Sequence, residues 1–330
     1  MCCPTCTRKA ICEGPGPIPV PSSHTGIRRD RPSPRPVRQQ ACAIARGTAV
    51  PQSDSGVTLR DGRAVAYAEW GDLGGRPVVL FHGSPGSRLL CPDADATVAL
   101  GVRLITVDRP GYGRSDPDPD HSLQTWADDY AELHAVLNLP PCPIVGWSGG
   151  GPYALACAVR TPALVTSIGL AASRGPLDDF PDGYDEKERS LAELLRRDRA
   201  AALERITNSS QWYADDPRST FAEGWDGPDD ALLTQPNVRQ TMIEWEVEGA
   251  RQGSIGLVAD RIAKLQPWGF SVANVTHGVR VWVGGADDPL LHQAADYFIA
   301  TIPRATLETF EDSGHLLTIP HWAEMLTWLQ

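Results

Sequence analysis

The sequence predicts an α/β fold: a mostly parallel, doubly wound sheet with an antiparallel hairpin at its N-terminal end and a helical cap inserted before the last two strands. Three observations predict it. Short apolar runs closed by turn residues recur along the chain, helical-length segments separate most of them, and the strand texture vanishes between Arg174 and about Thr276.

The elements follow in order. Residues 1–53 contain nine prolines and little apolar periodicity, so they are expected to form a disordered extension that buries too little surface to offset its ordering entropy. From Val57, "VTLRDGRAVAYAEWG" gives two alternating runs around Asp61-Gly62, a hairpin signal. Strands are then expected over 77–83, 102–108, 142–148, 165–173, 279–285 and 305–315. Residues 185–206 read as one helix with acids in its first turn and arginines later, and residues 238–265 as one or two more. The core should therefore comprise 54–173 and 277–330, with 174–276 capping the carboxyl edge of the sheet, where open α/β sheets bind ligands.

Composition narrows the function classes. The 330 residues are 42% hydrophobic, enough for an ordinary buried core, and carry a net charge of −11. Residues 1–53 hold eight Lys/Arg against two Asp/Glu, which leaves 22 against 39 in the remainder; that acidic body offers no basic face to nucleic acid. No run approaches the roughly 18 apolar residues of a membrane span. The first forty residues lack a signal peptide's apolar core, and Arg28-Arg29 is followed by no apolar segment, so a cytoplasmic protein is expected. Cys2, Cys3, Cys6 and Cys12 crowd the N-terminus, but Cys3-x-x-Cys6 has only His24 nearby, and no metal is expected.

The chemistry centres on "CPIVGWSGGGPYALACAVR", in which an apolar strand runs into Gly146-Trp147-Ser148-Gly149-Gly150 and then into a helix with Pro152 in its first turn. This strand–turn–helix context is that of a nucleophile elbow. The serine sits on a tight, strained turn, and the amino end of the helix points its free N–H groups at charge forming beside the hydroxyl. A serine hydroxyl needs a base, and the base needs a carboxylate to orient it. "EDSGHLLTIPHW" supplies His315, just ahead of an expected C-terminal helix marked by Leu316, Ile319, Trp322, Leu326 and Leu329. "VRVWVGGADDPLL" supplies Asp287 or Asp288: the alternation of Val279, Val281 and Val283 ends the strand at Gly284 and favours Asp287, whereas Pro289 argues for Asp288. For the oxyanion, the backbone N–H groups of Gly149 and of Ser84, in "LFHGSPGSR", are the expected donors. Asp108 to Ser115, "DRPGYGRS", is assigned to shaping the site. Trp147 receives no role.

Over Val57 to Gln330 these motifs resemble the α/β-hydrolase fold superfamily: His82-Gly83-Ser84-Pro85-Gly86, Asp108 to Ser115, Gly146 to Gly150, Gly284-Gly285-Ala286-Asp287 and Gly314-His315. The resemblance implies a capped serine hydrolase with Ser148 as nucleophile, His315 as base and an Asp as orienter. It also separates the chain from epoxide hydrolases and haloalkane dehalogenases, whose elbow nucleophile is an aspartate.

The expected activity is hydrolysis of a carboxylic ester or lactone of a small, largely apolar molecule, without cofactor. A biosynthetic thioesterase, acyltransferase or cyclase, or a carbon–carbon bond hydrolase, would use the same triad, and a non-catalytic ligand receptor would not need it. The aromatic residues Trp212, Tyr213, Trp225, Trp245 and Trp268 either line the pocket or pack the cap. A small-molecule substrate is the one partner expected, and oligomeric state is left open.

Overall fold

The computed structural model describes residues 50–221 and 224–330. Nearly all of the expected extension, with Cys2, Cys3, Cys6, Cys12, His24 and Arg28-Arg29, lies outside these residues. The hairpin pairs β1 (Ser53–Thr58) with β2 (Ala64–Gly71) through the turn at Asp61-Gly62, where Gly62 adopts a φ of 94°. Six further strands follow: β3 (Arg76–Phe81), β4 (Val102–Val107), β5 (Cys142–Trp147), β6 (Val165–Ala171), β7 (Gly278–Gly284) and β8 (Ala305–Phe310). The sheet order is β1-β2-β4-β3-β5-β6-β7-β8, antiparallel at β1–β2 and β2–β4 and parallel throughout the rest.

Period-two alternation divides the core between the two faces of the sheet. Val79, Phe81, Ile105, Ile144 and Val281 face one cluster, which includes side chains of α2 (Leu123–Val136), α3 (Gly151–Arg160) and α9 (Pro289–Thr301). Val78, Leu80, Leu104, Val145 and Val283 face the other, shared with α10 (Trp322–Trp328) and bordered by α1 (Ala94–Ala99). Helices on both faces make the sheet doubly wound, as expected from the alternating pattern.

Two expectations are corrected. The single helix over 185–206 is two, α4 (Glu186–Arg197) and α5 (Arg199–Asp215), because Asp198 leaves helical geometry and its side chain accepts from Ala201 N to start a new helix. The C-terminal helix begins only at Trp322, since Pro320 has no N–H to continue a helical ladder; residues 316–321 form turns that nonetheless bury Leu316, Leu317 and Ile319. The remaining helices between β6 and β7 are α6 (Gly227–Leu233), α7 (Pro236–Gly249) and α8 (Ile255–Leu265).

Candidate active site

Strand β5 delivers Ser148 to the carboxyl edge of the sheet, and a single 3-10 turn, Ser148–Gly150, joins it to α3. Ser148 takes a φ of 50°, a left-handed conformation costly for any residue with a side chain. Its neighbours make that turn feasible. A Cβ on Gly146 would stand 2.5 Å from Gly151 Cα, so strand and helix approach too closely for any other residue there.

Ser148 Oγ lies 3.1 Å from His315 Nε2. On the other side of the ring, His315 Nδ1 is 3.2 and 3.3 Å from the two carboxylate oxygens of Asp287. A carboxylate can only accept, so Nδ1 carries the proton and Nε2 is left to accept from the serine. Asp288 takes a different place: its side chain caps α9 by accepting from Leu290 N at 2.9 Å, and it lies 3.7 Å from Arg174. The two adjacent acids thus divide between a buried position on histidine and an exposed one on a helix end.

A third acid stands behind the histidine. Asp229, in the first turn of α6, accepts from the backbone N–H groups of His315 at 2.7 Å and Leu316 at 3.0 Å. Burial raises its carboxyl above the usual range, and those two N–H groups pull it back. Nothing in the sequence near Asp229 marks it, because its target lies 86 residues away. Trp147 also finds its role here: its indole Nε1 donates to His315 O at 3.1 Å, and its ring stacks on Trp245 of α7 with centroids 5.2 Å apart. The His315 segment is therefore tied on both sides through its main chain.

Ser84 and Gly149 line the same cavity as Ser148. A buried ion pair braces the Ser84 loop: Arg109, in the turn after β4, donates to His82 O at 2.6 Å and Gly83 O at 2.8 Å, and to Asp260 of α8 at 2.6 and 3.2 Å. Asp260 also accepts from Tyr153 OH at 2.7 Å, from Tyr112 OH at 3.2 Å and from Ser84 Oγ. Burial by itself would raise the Asp260 carboxyl, but Arg109 foremost among its partners holds it well below the usual carboxylate range. In the same turn Asp108 accepts from Arg88 N and Nη1, which ties down the far end of the loop. His82 is driven far below the ordinary imidazole range, by burial first and Arg109 second, so it is neutral and donates or accepts only locally.

The cavity measures about 610 Å³ and is walled by Pro152, Leu257, Leu265 and Leu291 as well as by charged side chains. Among the aromatics of the inserted helices, Trp212 reaches this wall, whereas Tyr213, Trp245 and Trp268 are packed in the interior and Trp225 stacks on Phe221. Lys264, one turn after Asp260 on α8, also faces the cavity, and burial pushes its ammonium down to about 8. Among the described residues, no three His, Cys, Asp or Glu side chains are grouped to hold a metal, and no helix is long and apolar enough to cross a membrane.

Known proteins are similar to this chain in sequence and in fold. A family model described as "Alpha/beta hydrolase family" matches residues 78–327. A non-heme chloroperoxidase of Streptomyces lividans is 30% identical over 288 residues, which span 80% of this chain and 94% of that protein. A bifunctional esterase/perhydrolase of Acinetobacter calcoaceticus is 30% identical over 218 residues, 62% of this chain and 72% of that one. Among solved structures, an esterase from Exiguobacterium antarcticum superposes with a TM-score of 0.61 at 22% identity, covering 84% of this chain and 98% of its own.

Proposed function

The chain belongs to the alpha/beta hydrolase family, and from that membership we propose that it cleaves a carboxylic ester or lactone of a small molecule through an acyl-enzyme on Ser148. The observation that carries this reading is the continuous line Ser148 Oγ, His315 Nε2, His315 Nδ1, Asp287, with spacings of 3.1 and 3.2 Å.

His315 takes the Ser148 proton as Oγ attacks the carbonyl carbon, and Asp287 stabilises the imidazolium that forms. The N–H groups of Gly149 and Ser84 receive the oxyanion, aided by the positive end of α3. Collapse expels the alcohol, which takes its proton from His315. Water, activated by the same imidazole, then releases the acid. Residues 174–276 act as a cap that limits water and sets substrate size, and the free, buried thiols Cys91, Cys142 and Cys157 suit the reducing cytoplasm, where we place the reaction.

A second acceptor is favoured by the relatives named as a perhydrolase and a chloroperoxidase. Hydrogen peroxide in place of water would attack the same acyl-enzyme, breaking the acyl C–Oγ bond and releasing the acyl group as a peracid while a proton returns through His315 to Ser148. The test of the main reading is hydrolysis of p-nitrophenyl acetate and butyrate, with fluorophosphonate labelling of the folded protein. Ser148→Ala should abolish both label and turnover; turnover that survives the substitution in pure protein refutes the reading.

A further inference from the structure

Lys264 is a cation in the reaction cavity that Asp260 and Glu188 feel only at longer range, without direct contact. Among the described residues no side chain or carbonyl accepts from its Nζ, while its main-chain oxygen accepts from Trp268 Nε1. The nearest acid along its helix, Asp260, is already shared by Arg109, Tyr112, Tyr153 and Ser84. The other acids of the cavity wall are committed as well: Glu188 holds Arg174 at 2.6 Å, Asp287 faces His315, and Asp288 caps α9. Arg261, one turn before Lys264 and on the same wall, is satisfied by the hydroxyls of Ser209 and Ser210 at 2.7 and 2.9 Å and touches no carboxylate. Among the described residues, Lys264 and Arg261 thus face the cavity with no carboxylate in direct contact, although the chain carries a net charge of −11.

The position of the ammonium is specific. A Cβ built on Gly149 would lie 2.8 Å from Lys264 Nζ and 2.7 Å from Ser84 Cβ, so the charge stands directly beside the two expected oxyanion donors. A buried ammonium without a hydrogen-bonded partner is costly, and an anionic ligand group that accepts from it lowers that cost on binding.

We propose that Lys264 receives a carboxylate carried by the substrate itself, so that the preferred esters are monoanions: half-esters of short dicarboxylic acids. The short spacer follows from the geometry, since a carbonyl aimed at Gly149 N–H leaves Nζ only a few bonds away. Hydrolysis breaks the acyl C–O bond; water supplies the new hydroxyl and the alcohol's proton, and the products are the alcohol, a dicarboxylate and the proton that the new carboxylic acid releases at pH 7. The inference rests on the ester-hydrolase reading and adds the charge of the substrate to it; the leucines and proline of the wall then cover the carbon chain.

The experiment compares initial rates on monomethyl glutarate and dimethyl glutarate at pH 7, below the value of about 8 to which burial brings Lys264. The wild-type protein should favour the monoester. Lys264→Met should lower the ratio of kcat/KM for monoester over diester on the order of 10- to 100-fold, mainly through KM, and Lys264→Arg should restore most of it. A ratio that Lys264→Met leaves unchanged overturns the proposal; in that case the lysine serves both esters alike, as an oxyanion aid or as packing. Calorimetry of glutarate and of inorganic phosphate with Ser148→Ala and with Ser148→Ala/Lys264→Met gives a readout independent of turnover. Glutarate affinity lost with the lysine supports the subsite even if neither ester is cleaved, which would sink only the hydrolase reading. Tighter binding of phosphate than of glutarate overturns the assignment to a carboxylate.

Discussion

Replacing Arg109 by Met should destabilise the protein by about 5 kcal/mol, and the reason can be counted bond by bond. Arg109 and Asp260 are both fully buried and joined at 2.6 Å. Removing one partner of such a pair strands the other charge, at about 3–5 kcal/mol. The carbonyls of His82 and Gly83 also lose their donors, each costing roughly 1 kcal/mol at the low end for orphaned groups. Asp260→Leu strands the guanidinium instead and should cost about 4 kcal/mol. The double variant removes both charges, leaving neutral orphans alone, and should cost about 3 kcal/mol, far below the sum of the single variants. Urea unfolding at pH 7, followed by tryptophan fluorescence, measures all three. Because Arg109 fixes the peptide that precedes Ser84, kcat should also fall on the order of 10-fold in the single variant while KM moves less. Additive losses across the cycle would refute the view that the pair acts as a unit. The sign of the pH dependence follows: Asp260 is depressed in the folded state, so its contribution is complete above the ordinary carboxylate range and is lost only as strongly acid pH passes its folded value.

Asp229→Ala should leave the Asp287–His315 pair in place but free the backbone N–H groups of His315 and Leu316, lowering kcat on the order of 10-fold and stability by about 2 kcal/mol; kcat within twofold of wild type would show that Trp147 alone positions the histidine. Glu246, buried on α7, is pushed up to about 8 by desolvation, whereas its unfolded carboxyl titrates near 4.5. Unfolding therefore releases a proton between those values, so stability should fall as pH rises from 4.5 to 8, and Glu246→Gln should flatten that slope in midpoints taken at pH 5 and 9; parallel profiles would contradict it.

What the sequence made legible was local. The elbow, the hairpin at Asp61-Gly62 and the strand ending at Gly284 are each written within a dozen residues, because glycine, proline and period-two alternation act on neighbours. The choice between Asp287 and Asp288 was half legible: strand alternation pointed to the first, and Pro289 is explained as the opening residue of a helix that Asp288 caps. The brace under Ser84 was hidden, since Arg109 and Asp260 lie 151 residues apart on a loop and an inserted helix, and no periodicity records that they meet. Asp229 and Lys264 were hidden for the same reason: on the sequence Lys264 is one more charge on an expected helix and Asp229 one more acid between two, and only packing reveals which of them meets the site.

The stack of Trp147 on Trp245 joins a residue of the sheet to a residue of the inserted helices, with ring planes 25° apart. Two indoles at that separation share their electronic excitation, which gives a paired positive and negative signal in circular dichroism that a lone tryptophan lacks. One ring belongs to the residue before Ser148, the other to α7. The pair therefore gives the strand that presents Ser148 and an inserted helix a shared optical signature that reports whether their contact is kept.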